Sequence, residues 1–137
     1  MFHIKFGVAL PLAVAACLGV AACGDEPTPP TPTPVPGNLV VSLVSPNGGE
    51  GAAVLETGDE GIVDIAAEGG QAHLWRAGGA SRIVVLLDEP GDVRFTISVE
   101  DVNKPPRLEI VEVADGDNRL RESLTGYRVV LEPVIGA

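Results

Sequence analysis

The stretch Val93-Arg94-Phe95-Thr96-Ile97-Ser98-Val99-Glu100 alternates apolar and polar residues without a break. Successive side chains of a β-strand point to opposite faces, so this pattern predicts a strand with one face buried and one wet. Outward from it, short apolar runs alternate with Gly, Pro, Asp and Asn clusters. Upstream lie residues 39–45, closed by Pro46-Asn47-Gly48-Gly49, then 52–56, then 62–67 beyond Gly58-Asp59-Glu60-Gly61. Residues 71–76 follow between Gly69-Gly70 and Gly78-Gly79. Ile83-Val84-Val85-Leu86-Leu87 is apolar throughout; a strand buried on both faces is one account of it, with Pro90-Gly91 then turning the chain. Downstream, Pro105-Pro106 introduces residues 107–114, and Tyr127, Val129 and Leu131 alternate with Arg128, Val130 and Glu132 in a last strand.

Turn signals at such short spacing predict an all-β fold, an antiparallel β-sandwich of about seven or eight strands over residues 38–137. The strand at 107–114 slips phase: Leu108 and Ile110 share a side, yet Val111 and Val113 flank an outward Glu112. One extra residue near Ile110-Val111 restores the alternation, so a β-bulge is expected there. Asp117 or Asn118 is placed to cap a single helical turn carrying Leu120 and Leu124 on one face. Such a layout resembles the immunoglobulin-like and cohesin-like sandwich families. Leu124-Thr125-Gly126-Tyr127-Arg128-Val129 resembles the tyrosine corner of those domains, which implies that the Tyr127 hydroxyl bonds back to the loop preceding its strand. The chain departs from the antibody pattern in lacking the cysteine pair and in opening its final strand with Tyr127.

The first 37 residues have a different character. Lys5 gives a short positive start, and residues 7–22 are apolar throughout. That run falls short of the roughly 20 residues that span a bilayer and fits a secretory signal. It ends in Val20-Ala21-Ala22-Cys23, which resembles the lipobox of bacterial lipoproteins. Val14-Ala15-Ala16-Cys17 also fits the box, but its use would leave a very short apolar region and an apolar tail on the mature chain. The resemblance implies a diacylglycerol on the Cys23 sulfur, cleavage after Ala22, and a cell-envelope protein held to a membrane by lipid. An ordinary signal peptide cut after Ala22 is the alternative. Gly24, rather than Asp, follows the cysteine, which implies an outer-membrane address if the host has two membranes. Residues 24–37 are rich in Pro and Thr, and proline neither continues a helix nor donates to a sheet. A disordered linker is expected, extended in polyproline II, with ten residues spanning about 30 Å. The expected divisions are thus 1–22 signal peptide, 23–37 lipidated cysteine and linker, and 38–137 folded domain.

Charge narrows the function. The chain has 9 Lys+Arg against 19 Asp+Glu, a formal charge of -10. Loss of Lys5 with the signal leaves 8 - 19 = -11. A phosphate backbone repels such a surface, and nucleic acid is not an expected partner. Attraction to anionic lipid is equally poor, so the membrane is reached through Cys23. Both cysteines lie before residue 24, so the folded part has no thiol chemistry and no cysteine-ligated zinc.

His73 is the one histidine after the cleavage point. A serine triad would need it as base beside Ser45, Ser81 or Ser98, but no Gly-x-Ser-x-Gly elbow occurs. Asp115 and Asp117 in Asp115-Gly116-Asp117-Asn118 are the best calcium candidates, and Asp88, Glu89 and Asp92 a second group. Both read first as turns, because Asp and Asn bond their own backbone there. Trp75 shares a strand face with His73, with Leu74 opposite. A core position is the ordinary place for so large an apolar ring; if instead Leu74 faces the core, His73 and Trp75 face solvent and offer a stacking or anchoring surface. The expected function is a non-catalytic binding or structural module, needing no cofactor, with an envelope protein or glycan as partner. The alternative is a small envelope glycan hydrolase using paired carboxylates.

Overall fold

Alternation along the strands is what builds the two layers. The computed structural model describes residues 27–58 and 61–135; the signal segment and Cys23 lie outside the described residues. Eight strands form: β1 (Gly37–Val44), β2 (Glu50–Gly58), β3 (Ile62–Ala67), β4 (Gly70–Ala77), β5 (Ala80–Gly91), β6 (Arg94–Val99), β7 (Glu109–Asp115) and β8 (Arg128–Pro133). They make two antiparallel four-stranded sheets, ordered β3-β6-β1-β8 and β4-β5-β2-β7. The fold is an all-β sandwich, and no helix occurs among the described residues.

The order follows a nesting rule. β1 pairs with β8, β2 with β7, β3 with β6 and β4 with β5, as in a long double ribbon folded upon itself. Only β4 and β5 are neighbours both in sequence and in a sheet; every other connection crosses between the layers. An immunoglobulin order pairs several sequence neighbours within a sheet; this one does so once.

The inner pairs of strands carry the core. Leu39, Val41 and Leu43 of β1 and Phe95, Ile97 and Val99 of β6 face Ala53 and Leu55 of β2 and Ile83 and Val85 of β5, all buried. Ile62 of β3, Val93 and Val113 of β7 complete the cluster. The alternation that begins at Val93 is reproduced, with Arg94 exposed and Thr96 and Ser98 half-buried on the outer face. Strands at the sheet edges are only half covered, as their position requires.

β5 departs from its sequence reading. Ile83 and Val85 are buried, but Val84 is half-buried and Leu86 is 45% exposed. The strand has one inner face, because each sheet of an antiparallel sandwich meets the core on one side only. Nor does the chain turn at Pro90-Gly91. Gly91 still pairs with Glu50, and between that pair and Ala52↔Leu86 β2 advances two residues while β5 advances five. The extra residues bulge out, and the chain crosses to the other sheet only at Asp92 and Val93.

The bulge expected in β7 is present. Val54 pairs with Glu112 and Leu55 with Ile110, which leaves Val111 as the unpaired residue. The expected helical turn is absent. Asp115 Oδ1 accepts the backbone N–H groups of Asp117 and Arg119 at 2.9 and 3.0 Å, and Asn118 takes a left-handed φ of 62°. Arg121 N–H then returns to Val113 O at 2.8 Å, and Leu120 bridges Ala114, so the segment is a tight reversal along β7.

The Pro-rich run has no helix or strand over residues 27–36. Its last residues are tied to the domain: Val35 N–H donates to Asp101 Oδ1 at 3.2 Å, and Val102 N–H donates to Val35 O at 2.8 Å. The compact unit begins at Pro32.

Truncating Phe95, fully buried on a central strand, is expected to cost about 3–5 kcal/mol of unfolding free energy. Val84→Ala, on the outer face of β5, should cost about 1 kcal/mol or less. Denaturant melts of the two variants check this contrast.

Candidate functional site

Two constellations stand out, one buried at the end of the sandwich and one on an open sheet face. The first was not visible in the sequence. Glu50 opens β2 and is 1% exposed, a carboxylate inside an apolar sandwich. Register shifts on both sides of β2 between Glu50 and Ala52 set Gly51 in a bulge, which turns Glu50 inward out of phase with Ala53, Leu55 and Thr57. Gly51 is needed there, because a Cβ would stand 2.5 Å from Asp115 O.

Donors converge on this carboxylate. Ser45 Oγ donates to Oε1 at 2.6 Å, the Tyr127 hydroxyl donates to the same oxygen at 2.5 Å, and Arg121 Nε donates to Oε2 at 2.9 Å. Asn47 Nδ2 donates in turn to the Tyr127 oxygen at 2.9 Å. Arg121 also lies 3.9 Å from Asp115 Oδ2. Burial, the largest influence, pushes the Glu50 pKa up; Ser45, Tyr127 and Arg121 together outweigh it and hold the group below its ordinary 4.5. Tyr127 bonds not to the loop that precedes it, as the tyrosine-corner resemblance implies, but across the fold to side chains of the β1–β2 loop and β2. Both oxygens of the buried carboxylate are engaged from within, which marks this group as a clasp between the β1–β2 crossing and the β7–β8 connection rather than a site open to substrate.

The second constellation contains two of the residues singled out from sequence. Leu74 packs against the core opposite Ile83, so His73 and Trp75 point outward. Trp75 is 55% exposed, which overturns the core placement for it. The reason is the phase of its strand: Leu74 turns inward, so the odd-numbered positions after Gly70 all face away from the partner sheet. The His73 and Trp75 rings stack with centroids 5.6 Å apart and 30° between planes. Gln71 lies on the same face, its Oε1 3.4 Å from His73 Nε2.

The register extends Trp75 into a row across the sheet. Trp75 pairs with Arg82, Arg82 with Glu56 and Glu56 with Glu109. Arg82 donates from both Nε, at 2.8 Å, and Nη2 to Glu56 Oε1. Trp75, Arg82, Glu56, Val84, Ala77 and Ala80 line a hollow of about 550 Å³ on this face. Sequence reading missed Arg82 and Glu56, since opposite charges 26 positions apart give no signal until strand register is known.

Asp115 and Asp117 are not drawn together as ligands. Asp115 is engaged by backbone N–H groups and by Arg121, and its pKa is held down chiefly by the Arg119 N–H. Among the described residues no group of three or more His, Cys, Asp or Glu is arranged to hold a metal. Ser45 bonds Glu50, and His73 lies on the opposite, outer side of its sheet.

Glu50→Gln is expected to lower unfolding free energy by about 2–4 kcal/mol, since it removes the nearer of the two counter-charges of the half-buried Arg121 and leaves only Asp115 at 3.9 Å. Tyr127→Phe should cost about 1–2 kcal/mol. Because the folded pKa of Glu50 lies below its ordinary value, its contribution is complete above pH 4.5 and is lost as pH falls through the folded value. Stability against urea measured from pH 7 to pH 3 should therefore drop below pH 4.5, with a smaller drop in Glu50→Gln. No family model, no curated protein and no solved structure matches this chain significantly.

Proposed function

We propose that the chain is an exported lipoprotein, anchored in the cell envelope through Cys23, whose β-sandwich is a non-catalytic binding module. The observation that carries the binding reading is the exposed Trp75, stacked on His73 at the open face of β4. A large amphipathic ring left in water on a rigid sheet gives little to the fold and much to a contact, because its area is desolvated only when a partner arrives. The anchor reading is supported by Val20-Ala21-Ala22-Cys23 at the end of a short apolar run, followed by the Pro/Thr-rich spacer. One thioether-linked diacylglycerol brings two acyl chains, enough for stable attachment where a single chain is marginal. The outer membrane is the favoured address in a host with two membranes.

The hydrolase alternative would draw on Glu56 and Glu109, paired across β2 and β7 in the row that begins at Trp75. Glu56 is already engaged by Arg82 on an open face, an arrangement better suited to holding a ligand than to cleaving one.

Two measurements test the proposal on the full chain in its host. Labelled palmitate should enter the protein, and Cys23→Ser should abolish the label; label uptake in that variant, or none in the parent, overturns the anchor. Trp75 is the single tryptophan, so 5-fluorotryptophan gives one ¹⁹F resonance. Isolated envelope fragments should shift or broaden it, and indifference to every fraction overturns the binding reading.

A further inference from the structure

We infer that the row Trp75–Arg82–Glu56–Glu109 is a binding site for a neutral pyranose oligosaccharide; this rests on the reading of the Trp75 face as the binding surface. A sugar ring is amphipathic in one specific way. Its axial C–H bonds form an apolar face, and its hydroxyls point outward around the rim as both donors and acceptors. A matching site therefore needs an aromatic plate with planar polar groups beside it, on a surface flat enough to take a chain of rings.

The row supplies each part. Trp75 is the plate, and its orientation is fixed by the His73 ring stacked 5.6 Å away. Arg82 and Glu56 stand next in the register as a planar donor and a planar acceptor, already oriented by their mutual bonds. The guanidinium has further N–H groups for hydroxyl oxygens, and Glu56 has Oε2 for hydroxyl protons. Ala77, Ala80 and Val84 keep the hollow of about 550 Å³ shallow and apolar between these groups. Glu109 extends the row by another acceptor. Three inter-strand steps give a length of about 14 Å, room for more than one pyranose ring.

Charge selects within the sugars. Arg82 is neutralised by Glu56, Glu109 shares a neighbouring hollow with Arg107, and the chain carries -10 overall. A uronic-acid or sulfated glycan would be repelled, whereas a neutral one meets no such cost. A protein partner would find the apolar residues Val84 and Leu86 farther along the same face of β5 attractive, but it would have no need of an oriented donor–acceptor pair set beside the indole.

The test uses the full chain in detergent micelles, labelled with 5-fluorotryptophan, titrated with cellotetraose and with the tetramer of β-1,4-linked N-acetylglucosamine. At least one is expected to move the single ¹⁹F resonance saturably. Arg82→Ala, which keeps the reporter, should weaken that binding about tenfold, and Trp75→Ala, followed by calorimetry, about thirtyfold. Arg94→Ala, on the outer face of the other sheet, should leave it unchanged, and thermal melts confirm that each variant is folded. A stationary resonance with both sugars, or a shift indifferent to Arg82→Ala, overturns the inference. If envelope fragments move the resonance, sugars do not, and protease treatment of the fragments removes the effect, the partner is a protein: the glycan inference falls and the binding reading stands. If neither fragments nor sugars move it, both fall.

Discussion

Every side chain of a pleated strand must go either in or out, and this alternation governs the whole sandwich. The four central strands β1, β6, β2 and β5 each turn alternate residues inward, and Phe95, Leu55, Ile83 and Val41 meet between the layers with no exposed surface. Burial of these groups is the dominant favourable term in folding. The nested order makes it work, since each crossing between sheets brings a new inward face over one already laid down. Bulges at Val111 and Gly51 are where the chain changes phase to stay in step.

The Gly51 bulge has a cost that the rest of that end of the molecule offsets. It points a carboxylate into the interior, where an isolated charge is strongly unfavourable. Ser45, Tyr127 and Arg121 satisfy it, and no buried side-chain polar atom among the described residues lacks a partner. The network couples segments far apart in sequence: 71 positions separate Glu50 from Arg121. A charged clasp of this kind is a poor source of net stability but a strict selector of geometry, because any misplacement leaves a buried charge unpaired.

The two outer faces differ. The sheet containing β1 presents Arg94 and Glu132 to solvent together with Val63 of β3, while the sheet containing β4 presents Trp75 and Leu86 beside the half-buried Val84 and the Arg82–Glu56 pair. Strand phase explains where the tryptophan lies, and function is the account of why it remains there.

Local pattern was enough for the strands themselves. The alternation from Val93 and the phase slip at Ile110-Val111 are statements about neighbours in sequence, and strand geometry converts them directly into structure; among the Gly and Pro turn signals Pro90-Gly91 is an exception, since β5 runs on through it. The division into apolar leader, proline run and folded part is likewise compositional. Pairing is different in kind. Whether Ile83 to Leu87 had one buried face or two depended on what lay over it. Leu120 and Leu124 had helical spacing, yet an Asp115 side chain bonding its own backbone and the nearby β7 edge prevailed. Trp75 faced outward because Leu74 took the inner face of β4, Glu50 inward because of a bulge, and Arg82 met Glu56 through register alone. Sequence spoke for periodicity, which is a property of a few consecutive residues; tertiary structure decided strand order and register, because those arise only when faces from distant segments compete for the same interior.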